Sequence, residues 1–261
     1  MFFLSSEIIK KLSFIGLCMS GVALLQFPRL QEIIKRNDNA STADLQKDLD
    51  AEKIRLDLLQ KIPAFGFDNM VANWAYLGFC QFFGDDEARD KTGYRLSPDF
   101  FEVVLKHDPK FITAYQSLSV STSMFAAMPE KSIELTERGL NNLSPYVPEK
   151  SYYIWRYKAI DELLFLGNSN AAKKSFATAA DWASKYTDDE SKRARDMSEK
   201  TASFLEKNPN SKYAQIATWS LVLNNKVDNK TRQRAIQALQ TLGARIEQTP
   251  QGNKIIMPPK D

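Results

Sequence analysis

One histidine stands in this 261-residue chain, His107, in the stretch KHDPK. A lone imidazole with no partner at ligand spacing cannot assemble a metal cluster, so it reads as a residue at a helix end. Cys80 lies in an apolar run with no histidine near it in sequence, which marks core filling rather than a nucleophile. Asp161 and Glu162 are adjacent; on an α-helix they point about 100° apart and do not form an acid–base pair. Asp85, Asp86 and Glu87 lack the alternating spacing and closing glutamate of a calcium loop. No glycine-rich phosphate loop occurs. Tyr152, Tyr153, Trp155 and Tyr157 offer faces on which bases or sugars stack, but at helical spacing they belong to a core. The chain is therefore read as non-enzymatic, with no catalytic residue, no metal site and no cofactor.

Composition bounds the rest. Apolar content of 43% and charge content of 26% are those of a folded protein. The net charge of +3 demands no nucleic acid. After residue 225, Lys226, Lys230, Arg232, Arg234, Arg245, Lys254 and Lys260 outnumber Asp228, Glu247 and Asp261, the pattern of a solvated basic face.

Lys10 and Lys11 precede residues 12–27, LSFIGLCMSGVALLQF, sixteen residues without a charge. As a helix this run spans about 24 Å, short but usable for a bilayer core of about 30 Å. A cleaved signal peptide has similar proportions, yet its small pair, Gly21 and Ala23, falls inside the apolar run. Leu17 before Cys18 excludes a lipoprotein signal, and a buried core helix is the third reading. The run is assigned as a transmembrane anchor within residues 1–28. Basic residues flank both sides, so charge does not orient it. Insertion as an uncleaved signal would export the body to a lumenal or periplasmic side.

Residues 29–63 form a charged linker and helix. Ser41 or Thr42 starts it, Pro63 stops it, and Leu45, Leu49, Leu56 and Leu59 make a narrow stripe broken by Glu52. From residue 64 to 246 the apolar pattern repeats as helix pairs. Trp74, Leu77 and Gly78 mark a first helix; Phe100, Phe101, Val104 and Leu105 mark its mate before Pro109; the polar stretch 85–95 lengthens the connection. Ala114, Tyr115, Leu118 and Ser119 repeat the first-helix order, and Pro129, Leu135 and Gly139 open and line the answering helix. A third pair follows in 151–167 and 169–183, with Ala172, Phe176 and Ala179 at small–aromatic–small spacing. A single helix over 190–206 has Ala194, Met197, Thr201, Phe204 and Leu205 inward. The last pair covers 211–224 and 229–246 as a terminal cap, and residues 247–261 are an extended tail.

These residues resemble the tetratricopeptide repeat, a helical hairpin of about 34 residues. The segments IPAFGFDN, WAYLGFCQFFGD, LSPDFFEVVLKHDPKF and SYYIWRYKAIDELLFLG also resemble a cyanobacterial family of single-span proteins of that type. The resemblance implies an all-α fold, a right-handed superhelical array of hairpins preceded by a transmembrane helix, at a thylakoid or plasma membrane. It carries no activity. In such an array Trp74 and Leu77 are expected to pack inward, while Phe79, Phe82, Phe83, Tyr157, Leu164 and Phe165 approach a concave surface that binds a protein partner, unless helix 41–62 covers the phenylalanines. The expected function is that of a membrane-anchored scaffold or assembly factor for a membrane protein complex. A permanent accessory subunit, or a binder of lipid, glycan or pigment, are the alternatives.

Overall fold

The computed structural model describes residues 15–16, 19–22, 24, 26–27, 41–207, 212–224, 229–249 and 252–259. Two compact units divide the chain, residues 1–45 and 46–261. In the first, Ile15, Met19, Val22, Leu24 and Phe27 are helical and exposed, while the rest of the expected anchor's apolar side chains lie outside the described residues. Among the described residues no helix is long and apolar enough to cross a membrane. Helix α1 (Thr42–Lys61) opens at Ser41, whose hydroxyl accepts the Asp44 N–H at 3.2 Å and donates to the Asp44 carboxylate at 2.6 Å. That exchange satisfies one of the donors a helix start leaves free.

The second unit is mostly helical. Helix α2 (Asp68–Gly84) is followed by α3 (Asp86–Thr92), α4 (Ser97–His107), α5 (Ile112–Leu118), α6 (Pro129–Leu140), α7 (Tyr152–Ile160), α8 (Ser169–Ala183), α9 (Asp189–Lys207), α10 (Lys212–Asn224) and α11 (Asn229–Thr241). The stretch expected as a polar loop is the short helix α3; Asp85 caps it by accepting the Ala88 N–H at 3.1 Å. Two helices widen at their ends into π-helical turns, Ser119–Phe125 after α5 and Asp161–Phe165 after α7.

The first core joins α1, α2, α4 and α5 and reaches Leu135 and Leu140 of α6 and Ile154 of α7. Ala72, Ala75, Phe79 and Phe82 of α2 meet Phe100, Phe101 and Val104 of α4, and Leu56 of α1 closes the cluster. Small residues at 72 and 75 let α2 approach its neighbours closely, and the phenylalanines fill the space beyond. Helix α1 is tied chiefly to α4: Lys53 pairs with Asp99 at 3.2 Å, and Gln60 donates to Glu102 at 3.0 Å.

A second core gathers Phe165, Ile216, Trp219, Val222, Ala235 and Leu239. Helix α9 packs along α8 through Ala172, Phe176 and Leu205. The last pair returns to earlier elements instead of stacking on α9: Phe165 and Trp219 lie 5.5 Å apart, Thr231 donates to the Ala126 carbonyl at 3.4 Å, and Arg234 holds Glu130 at 2.6 Å. Met197 and Phe204 of α9, expected inward, are exposed. Helix α11 ends at Thr241, five residues before the expected boundary. An antiparallel hairpin, β1 (Arg245–Thr249) and β2 (Gly252–Ile256), takes the last two residues of the expected helix and the first part of the expected tail 247–261, in the register Arg245 opposite Ile256. Ile246 lies between Arg245 and Glu247, which point to the other side of the strand, and Ile246 and Ile255 rest on the second core.

Candidate functional site

Helix α2 is apolar nearly all round, so its orientation decides what it can bind. Phe79 is 4% and Phe82 8% exposed. Phe79 lies 4.6 Å from Phe101, and Phe82 lies 5.2 Å from Phe100 with the Arg89 guanidinium 4.0 Å from its ring centroid. Phe83 is half-buried against Tyr94 and Phe125. The expected partner-binding trio thus forms one aromatic core, shielded by α4, α3 and the π turn after α5 more than by α1. Phe165 is buried against Trp219, Leu164 is half-buried beside it, and Tyr157 packs at the margin of the first core. Burial takes Phe79, Phe82 and Phe165 off any open surface.

The faces assigned from sequence are reversed. Trp74 is 56% and Leu77 61% exposed, and Met70 stands on the same side. Across from them Ile54 and Leu58 project from α1, while Ile62, Phe65 and Phe67 project from the connection. The Arg55 guanidinium carbon sits 4.8 Å from the Trp74 ring centroid, and Arg55 also pairs with Glu52. This contact and the close approach of Arg55 to Gly78 set α1 beside α2, each with an exposed apolar stripe on its outward side. Single exposed apolar residues are ordinary; here five large ones, Ile54, Leu58, Met70, Trp74 and Leu77, are exposed on the two helices that meet at Arg55. The signal was present in the stripe Ala72, Ala75, Phe79, Phe82, whose i, i+3, i+7, i+10 spacing identifies the buried side.

A buried polar centre lies where the two π turns meet. Asp161 is 1% exposed and accepts from Ser119 at 2.8 Å and from Ser132 at 2.7 Å. Burial pushes its carboxyl up to about 7, against the opposing pull of the serine hydroxyls. Glu162 points the other way, accepts from Ser175 at 2.6 Å and pairs with Lys158, which also meets Glu137 at 3.3 Å. The two carboxylates diverge as their adjacency predicts. π turns often accompany functional sites; here Ser119 of the first and Asp161 of the second join directly, while the Ser121 and Thr122 hydroxyls are buried without a hydrogen-bond partner among the described residues.

Residues with other chemistry are also placed. His107 bridges the Asp68 carboxylate at 2.8 Å and the Leu59 carbonyl at 3.3 Å, joining α4 to α1 and α2. Cys80 is exposed at the end of the apolar face, so it is not core filling. Among the described residues no group of three or more His, Cys, Asp or Glu side chains could hold a metal ion. A groove of 570 Å³ beside α1 is lined by Lys53, Lys91, Arg95, Asp50 and Asp99, a mixture that selects neither sign of ligand.

Comparison with known protein families, with characterised proteins and with solved structures finds no match in any of the three.

Proposed function

We propose that this chain is a membrane-tethered helical scaffold that acts by binding a protein partner, built from hairpins of the tetratricopeptide type. The observation that carries this reading is the exposed apolar face of α1 and α2, formed by Ile54, Leu58, Met70, Trp74 and Leu77. A helical array needs a polar outer face on its terminal hairpin to stay soluble alone. Here the outer face is apolar, so another element completes it. Two adjacent helices present a groove between ridges, a shape that receives an amphipathic helix of a partner. The apolar run 12–27 and the resemblance to single-span proteins favour a membrane protein complex as that partner, at a thylakoid or plasma membrane.

Cys80, one turn beyond Leu77, reports on this face. In a Cys18→Ser background, maleimide should modify Cys80 more slowly in opened native membranes than in dilute purified protein. The rate is referred to a cysteine placed at the exposed Asp181 of α8 in the same samples. An unchanged ratio between the two positions would remove the proposed docking face.

A further inference from the structure

The hairpin β1–β2 leaves a strand edge open. Thr249 and Gly252 close a two-residue loop and so form a hydrogen-bonded pair. Antiparallel pairs alternate: Glu247 with Lys254 and Arg245 with Ile256 are hydrogen-bonded too, and Ile246 turns its N–H and C=O away from β2. The elements packed on β1 are β2 along one edge and α11 on the face that carries Ile246. Among the described residues, no hydrogen bond from the rest of the fold reaches the Ile246 backbone. An edge of this kind receives another strand.

The side chains flanking Ile246 select which strand. Arg245 and Glu247 are exposed on the opposite face, and among the described residues neither takes part in an ion pair. A second β1 laid antiparallel about Ile246 meets its own sequence in reverse. Ile246 then stands opposite Ile246, the two exchanging both backbone bonds, while Arg245 faces Glu247 and Glu247 faces Arg245. A guarded edge carries charge of one sign, which repels a copy; this edge carries opposite signs placed to attract one. Strand β2 has no such match, since Lys254 is its one charged residue. The exposed stripe of α11, Gln233, Gln237 and Gln240, is uncharged and repels nothing. We infer that β1 is a self-association edge, through which two copies of the chain join their hairpins into a four-stranded antiparallel sheet with Ile246 opposite Ile246. Residues directly opposite share a face, so α11 of both copies lies on the same side of that sheet. A five-residue strand buries little area, which makes the pairing weak and reversible. It uses no residue of the α1–α2 face and stands apart from the docking proposal.

The test is sedimentation equilibrium of the full chain in density-matched detergent, over a concentration series reaching the submillimolar range. All variants and their parent carry Lys254→Gln, which removes the charge opposite Glu247 within the hairpin from the comparison. Arg245→Glu or Glu247→Arg sets like charges opposite each other twice per dimer and should weaken association about tenfold with an unchanged melt. Arg245→Glu/Glu247→Arg exchanges the charges, restores both opposite pairs and should return association to near the parent value. Gln248→Pro deletes the next outward N–H, at an edge where proline is tolerated, and should also lose the dimer. A parent that stays monomeric, single variants that associate as strongly as the parent, or an exchanged variant no stronger than the singles would overturn the inference.

Discussion

The Arg55 guanidinium lies over one side of the Trp74 indole, 4.8 Å from the ring centroid. This is the edge at which α1 reaches α2, and beyond it the outward face of both helices is open. An exposed cation–π contact is worth about 0.5–1 kcal/mol, enough to orient the indole but not to hide it.

The orientation of α2 predicts opposite outcomes at neighbouring positions. Phe79→Ala should cost about 3–5 kcal/mol, because it leaves a cavity among Phe100, Phe101 and Phe83. Leu77→Ala, on the exposed face, should stay within about 0.5 kcal/mol. Denaturant unfolding of the two variants decides it: equal losses would place the inner face elsewhere.

Much of the helical layout was legible in the sequence, because capping residues and prolines punctuate it. Ser41, Pro129 and Asn168 all stand where helices begin. The facing of α2 was not, since an element apolar on most sides has no dominant stripe, and its large aromatic residues outweigh the alanines that set its packing. The π turns have no sequence signature of their own. The hairpin at 245–256 was obscured by Pro250, Pro258 and Pro259, although Ile246 between Arg245 and Glu247 and the β-branched pair Ile255–Ile256 flank a Pro-Gln-Gly turn signal. Chain order also gave no sign that α10 and α11 return to Ala126 and Phe165, because that placement depends on contacts distant in sequence.

Asp161 makes stability depend on pH. Unfolded, its carboxyl loses a proton near 3.8; folded, burial keeps the proton to about 7. The folded chain therefore binds more protons between these values. The stability tied to this group is full below about 4 and is lost as pH rises to 7. Asp99, also raised by burial, adds the same sign, whereas the depressed carboxyls of Glu102, Asp188 and Glu190 act below the usual carboxylate range. Melting temperatures at pH 5 and pH 8 should fall less in Asp161→Asn than in the parent. An identical fall in both would show that Asp161 is not the group responsible.

The Lys158–Glu162 pair is buried and shares Ser175. Glu162→Gln removes the carboxylate and leaves the ammonium with the neutral Ser175 hydroxyl and the more exposed Glu137 at 3.3 Å, which should cost about 3–5 kcal/mol. The double substitution Lys158→Met/Glu162→Leu removes both charges and should recover most of that loss. Chemical denaturation of the single and double variants measures the difference; a double variant no better than the single would contradict it.

Two glycines separate close packing from mere flexibility. A Cβ at Gly139 would collide with the Tyr115 hydroxyl and come within 2.7 Å of its Cζ, displacing a ring whose hydroxyl donates to the Pro109 carbonyl at 2.7 Å. Gly139→Ala should therefore cost about 1–3 kcal/mol. At Gly84 a Cβ meets nothing within 4 Å, and Gly84→Ala should be neutral or stabilise by up to about 1 kcal/mol. Matched thermal melts of both variants give the comparison.

Copurification from solubilised membranes, read beside thermal melting, tests whether the α1–α2 face binds a partner. Met70→Glu/Leu77→Glu is compared with Met197→Glu, which alters an exposed apolar residue on α9. The first variant should lose about tenfold in partner recovery with a melting temperature within about 2 °C of the parent, since a few apolar anchors carry most of an interface's energy. Met197→Glu should retain the partner. Full recovery with Met70→Glu/Leu77→Glu, or an equal loss with Met197→Glu, would contradict the docking face.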